Sequence, residues 1–82
     1  MAATSAVLPV GSIGGDDFYA LDADEELILV LKGAITVRFE DEIIEMQEGD
    51  SLTLDPRRKR LLVNPSETET TVAVMVYVPP PL

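Results

Sequence analysis

Apolar and polar positions alternate in short runs along this chain, and the runs have the period of strands. Residues 26–31 are apolar at every position after Glu26, as in a central strand covered on both faces. Lys32-Gly33 makes a turn. From Ala34 to Glu40 the alternation is clean, with Ile35, Val37 and Phe39 on one side and Thr36 and Arg38 on the other. Glu40-Asp41-Glu42 is a polar tip without the Asn-Gly or Asp-Gly of the tightest hairpins. Further strands are predicted at residues 43–47, 51–54 and 60–64, separated by Glu48-Gly49-Asp50 and by a turn that opens on Asp55-Pro56. Pro65-Ser66 precedes the longest run, residues 71–78, in which Val72, Val74, Val76 and Val78 share one face and Ala73, Met75 and Tyr77 the other. About seven short strands with polar tips predict an all-β sandwich or barrel, not a βαβ fold. Twenty Val, Ile and Thr residues favour strands in the same way.

The ends read differently. Residues 1–16 are expected to form a flexible N-terminal arm of small residues, with Pro9, Gly11, Gly14 and Gly15 before Asp16 and Asp17. Residues 17–78 make the ordered domain, and residues 79–82 a Pro-rich tail that cannot continue a ladder. No Lys or Arg precedes Lys32, so a secretory signal's basic start is missing. No apolar run approaches the roughly 20 residues that span a bilayer. The expected location is cytoplasmic.

Composition narrows the chemistry. The chain has 82 residues, six Lys and Arg against fifteen Asp and Glu, a formal charge of −9, and neither His nor Cys. A single small domain of this size buries only about 60–65% of the surface its unfolded chain exposes, so stability leans toward a partner copy. The negative field argues against nucleic acid and anionic membranes. Without Cys there are no disulfides or thiol nucleophiles, and without His the commonest general base and transition-metal ligand is missing. Neither Ser51 nor Ser66 sits in a nucleophile elbow, and Gly11, Gly14 and Gly15 lack the Lys-Ser/Thr of a phosphate loop.

Two spacings resemble the paired motifs of the cupin superfamily, small jelly-roll β-barrels also described as double-stranded β-helices. Gly14, five residues, Ala20-Leu21-Asp22, three residues, Glu26, six residues and Gly33 keep the frame of that family's first motif. Gly49, five residues, Asp55-Pro56-Arg57, two residues, Arg60, three residues and Asn64 keep the frame of its second. The resemblance implies metal ligands at Ala20, Asp22, Glu26 and Arg60, of which only Glu26 is the family's residue. Two carboxylates are too few oxygens for Mg²⁺ or Ca²⁺, and an arginine would repel either. Loss of the imidazoles argues against a transition metal, so no metal or other cofactor is expected.

Glu26 and Arg60 are expected to face each other inside the barrel as an ion pair where that family holds a metal; the alternative turns Arg60 to solvent and leaves Glu26 a polar strand end. Residues 57–60 carry four of the six basic side chains. They read first as a solvated loop, then as a contact for the acidic stretches of another copy, and last as a lip binding an anionic ligand. If Ile28, Val30, Ile35, Val37 and the valines of residues 72–78 fill the interior, then Leu27, Leu29, Ala73, Met75 and Tyr77 face outward and need cover. A two-fold homodimer would provide it.

Two functions follow. One is a metal-free, non-catalytic cupin-like module that binds a small anionic or partly apolar ligand or associates with protein, with Asp22, Glu26, Arg57, Arg58, Arg60 and Tyr77 as candidate ligand contacts and no catalytic residues. The other is a small isomerase, epimerase or lyase acting on a sugar or acid without a transition metal, with Asp22 or Glu26 as base and Arg60 as electrostatic stabiliser. A shifted carboxylate pKa beside a cavity favours the enzyme, and a side-chain-filled interior favours association alone.

Overall fold

The structure is a computed structural model that describes residues 2–11 and 18–79, with the side chain of Ala2 left aside. Gly14, Gly15, Asp16, Asp17 and the last three residues, singled out above, lie outside the described residues. Seven strands follow one another: β1 (Ala2–Leu8), β2 (Glu25–Lys32), β3 (Ala34–Phe39), β4 (Ile43–Gln47), β5 (Ser51–Leu54), β6 (Arg60–Val63) and β7 (Thr71–Val78). There is no helix among the described residues, and so none long and apolar enough to cross a membrane.

Two antiparallel sheets carry these strands, in the orders β1-β7-β2-β5 and β4-β3-β6. β2 corrects its expectation: Ile28 and Val30 project into the core from the larger sheet, but Leu27 and Leu31 are exposed, so the strand is covered on one face and not on both. The alternation read for β3 faces the core as expected, with Ile35, Val37 and Phe39 projecting from the smaller sheet. Met46 and Leu62 join them from the flanking strands. Full burial of an Ile or Val contributes about 1.5–3 kcal/mol, so this layer is the main support of a thin core.

Two further expectations are corrected. The arm expected over residues 1–16 contains a strand: β1 lies antiparallel to β7 with Ala6 opposite Ala73 and Leu8 opposite Thr71. Its residues are small and only weakly alternating, and the unpaired backbone of β7 supplies the ladder that makes them a strand. The second correction concerns β7. Thr71, Ala73, Met75 and Tyr77 are its buried face, and the valines are the half-exposed one. Register decides this, because Ile28 lies opposite Met75 and Val30 opposite Ala73, and directly paired residues share a face.

The turns use the framed glycines. Gly33 has φ +81°, and a Cβ there would lie 2.9 Å from Thr71 Oγ1, so both the backbone and the neighbour require glycine. Thr71 in turn donates its hydroxyl to the Ala34 carbonyl, tying β3 to β7 across the two sheets. Gly49 has φ +89° and donates its amide to the Val30 carbonyl at 2.8 Å, which seats the β4–β5 turn against β2.

Candidate functional site

One end of the sandwich gathers the start of β2, the start of β6 and the end of β7, and there the two framed side chains meet. Glu26 and Arg60 are both 0% exposed, and Arg60 Nη2 donates to Glu26 Oε1. Arg60 Nη1 donates to the Pro56 carbonyl at 2.6 Å, and the guanidinium lies 4.7 Å from the centre of the Tyr19 ring. Backbone bonds of 2.9 Å in both directions between Tyr19 and Arg60 hold that ring in place. Leu21 donates its amide to the same Pro56 carbonyl at 2.8 Å, so the Asp55-Pro56 turn is built around the arginine. Of the two expected orientations, the inward pair is the one found.

The electrostatics of the pair follow from its burial. Glu26 is pushed above the ordinary carboxylate range by desolvation, which the Arg60 charge opposes without cancelling. Glu26 Oε2 and Arg60 Nε have no hydrogen-bond partner among the described residues, so the ion pair is incompletely satisfied. Tyr77 lies directly opposite Glu26 in the β2–β7 register. Its phenol is pushed up to about 12, first by burial and then by the Glu26 charge, so it remains a neutral hydroxyl facing the carboxylate.

The other candidates lie outside this centre. Asp22 has a side chain 96% exposed and approaches Arg57 only at 3.8 Å, and Ala20 is exposed. Arg57 reaches Asp24 at 2.8 Å and caps its own turn through a 2.9 Å bond from its amide to Asp55 Oδ1. Arg58 binds Asp41 at 2.8 Å and Glu42 at 2.7 Å, and its guanidinium covers the Phe39 ring at 3.7 Å. The hydrogen bond from Arg58 holds the Asp41 carboxyl below its usual range. Three of the four members of the basic stretch, Arg57, Arg58 and Arg60, thus hold carboxylates of this same chain.

The residues at the framed ligand positions do not suit a metal ion. Arg60 places a cation there, Ala20 has no donor atom, Asp22 points away, and Glu26 alone offers an oxygen. Among the described residues no group of three or more Asp or Glu could hold a metal.

Asn64 does more than keep the spacing. It is buried, its amide nitrogen is shared among the carbonyls of Leu8 (2.9 Å), Pro9 (3.1 Å) and Glu69 (2.8 Å), and its oxygen accepts from the Ser66 amide at 2.9 Å. The signal available in the sequence was an Asn before Pro-Ser, the composition of an Asx turn. Two surface hollows lie elsewhere. An open groove of about 440 Å³ runs along the β3–β4 tip between Phe18, Arg38 and Ile43, and a smaller hollow is lined by Thr36, Glu45 and Pro65. Neither is lined by Glu26, Arg60 or Tyr77.

Comparison with known proteins agrees with this architecture. The chain is similar to a cupin protein from Bacteroides fragilis, with a TM-score of 0.79 at 24% identity, over 93% of this chain and 63% of that one. It matches the cupin domain of an XRE family transcriptional regulator from Enterobacter cloacae with a TM-score of 0.79 at 13% identity, over 95% and 80% of the two chains. A sugar phosphate isomerase of the cupin superfamily from Silicibacter pomeroyi matches with a TM-score of 0.77 at 16% identity, over 95% of this chain but 50% of that one. This chain thus spans under two thirds of the first and half of the third. No curated protein sequence matches it. The family model described as the cupin domain matches residues 6–77. That match runs from within β1 almost to the end of β7 and takes in both glycine turns and the Glu26–Arg60 centre, and on it the chain belongs to the cupin superfamily.

Proposed function

We propose that this chain is a metal-independent, non-catalytic cupin module with a jelly-roll barrel, whose work is protein association, and that a second copy of itself is its first partner. The observation that carries the reading is the filled interior. Where a ligand-binding barrel needs open space, Glu26, Arg60 and Tyr77 pack against one another with the pair fully buried. Of the exposed large apolar residues, Val7, Leu27, Leu31 and Val78 lie on the outer side of the larger sheet, while Val10 follows β1 and Ile43 opens β4 of the smaller sheet. Capture of a small anion draws support only from Lys59 and the exposed flank of Arg57, since Arg58 and Arg60 already hold carboxylates. A cytoplasmic setting suits a soluble module free of Cys.

The enzyme reading has one observation in its favour, the raised pKa of Glu26. A general base must reach its substrate's proton, and this carboxylate is sealed while Asp22 stands on the rim. Metal analysis of the purified protein, with a thermal-shift screen of sugar phosphates and small carboxylates, tests the proposal. Substoichiometric metal and an unmoved Tm are expected. Stoichiometric Fe, Mn, Zn or Ni would overturn metal independence, and a saturable rise in Tm with one of those compounds would overturn association in favour of ligand binding or catalysis.

A further inference from the structure

The outer side of the larger sheet has a charge pattern that specifies how a second copy would sit on it. Register places Leu27 opposite Val76 and Leu29 opposite Val74, on the side facing away from the core. On β1 the matching outward row is Ala3, Ser5 and Val7, and on β5 it is Ser51 and Thr53. Within the four strands this face therefore carries no charge except at the two ends of β2. Glu25 stands at one end, opposite Val78. At the other, a bulge between Val30 and Lys32 sets Lys32 opposite Val72. Strict alternation would have turned Lys32 inward behind the buried Val30; the bulge brings it out beside Leu31, which is 50% exposed. Neither Glu25 nor Lys32 has an ion-pair partner among the described residues.

From this we infer that two copies pack these faces together around a two-fold axis lying in the face and running across the strands, so that Glu25 of each copy pairs with Lys32 of the other. Such an axis reverses strand direction, which brings the acidic end of one β2 over the basic end of its mate. The pairing occurs twice. A two-fold along the strands would set Glu25 against Glu25 and Lys32 against Lys32, a like-charge arrangement that costs affinity and specificity. The chosen axis passes close to Leu29, which meets its own symmetry mate, and sets Leu27 of each copy against Leu31 of the other, with Val74 and Val76 beside them.

Charge on the whole molecule points to the same face. Two chains of −9 repel each other, and this face, with one acid and one base, adds nothing to that repulsion. Four strands about 4.8 Å apart and about 20 Å long give roughly 400 Å² in plan per copy. Side-chain relief takes the buried total toward the ~1,000 Å² that a specific interface needs.

The arrangement rests on the homodimer reading above, and sedimentation equilibrium on the full chain separates the two. The wild type should dimerise, Leu29→Glu should be a monomer with an unchanged far-UV circular dichroism spectrum, and Glu25→Lys and Lys32→Glu should each raise the dimer Kd about tenfold. The double exchange, Glu25→Lys with Lys32→Glu, should return Kd to within about threefold of wild type, a restoration that misfolding of a single variant cannot mimic. A monomer at every concentration would overturn both the arrangement and the homodimer reading. A dimer indifferent to Leu29→Glu would overturn this arrangement and leave the homodimer reading intact. Dissociation by Leu29→Glu without restoration in the double exchange would overturn the antiparallel axis.

Discussion

Arg58 and Arg60 are two positions apart and differ in everything that sets the worth of an ion pair. Arg58 holds two exposed carboxylates beside solvent, where such pairs contribute about 0–1 kcal/mol. Arg60 sits at 0% exposure, and its removal would leave Glu26 buried without a counter-charge, a loss of about 3–5 kcal/mol. Arg60→Ala should therefore shift the urea midpoint far below that of Arg58→Ala, with equal small shifts counting against the buried pair. The acid has its own signature. Because the folded pKa of Glu26 lies above the unfolded one, the folded state holds the proton more tightly across that interval, and stability falls as pH rises through it. Relative to Glu26→Gln, the wild type should lose stability as pH rises from about 4.5 toward neutrality, measured by denaturation at several pH values. A difference that is flat or rises with pH would contradict the raised pKa. The meeting of Glu26 and Arg60 was legible from their places in two spaced motifs. The partners of Arg57 and Arg58 were not, because they lie 33 and 17 residues away across turns whose shape no local pattern encodes.

At the level of elements, β3 was legible because burial on one face imposes the alternation that its sequence displays, whereas β2, apolar at every position from Leu27 to Leu31, was legible as a strand but not as one covered on a single face. β7 was legible as a strand but not in its orientation: valines on one side and Ala, Met and Tyr on the other are both apolar, and only pairing with β2 chooses between them. β1 was missed for a different reason, since its strand character belongs to the edge it completes and to the side chain that fastens its end. That side chain is Asn64, which reaches the carbonyls of Leu8 and Pro9 from 56 and 55 residues away. Asn64→Ala leaves several buried polar groups unpaired, so a loss of about 1–3 kcal/mol is expected. Amide exchange should show it as lost protection concentrated in β1 and in the loop after β6, and uniform loss across all strands would argue against a local clasp.

For the whole molecule, three levels of the sequence converge on one architecture: strand period, glycine turns at Gly33 and Gly49, and a spaced pair of opposite charges. What eluded the sequence is long-range, namely which sheet face is outermost and how the acidic surface ties back the basic loop. A thin two-sheet core whose larger sheet leaves Val7, Leu27 and Leu31 exposed is what the homodimer proposed above would complete by association. Arg60 has a consequence for how such a molecule comes into being. The central positive charge is part of the polypeptide, so it is delivered by translation in a fixed one-to-one ratio with the carboxylate it meets. On the metal-independent reading proposed above, folding needs no loading step and no competition with other proteins for a scarce ion, and a chelator is expected to leave the Tm of the purified protein unchanged.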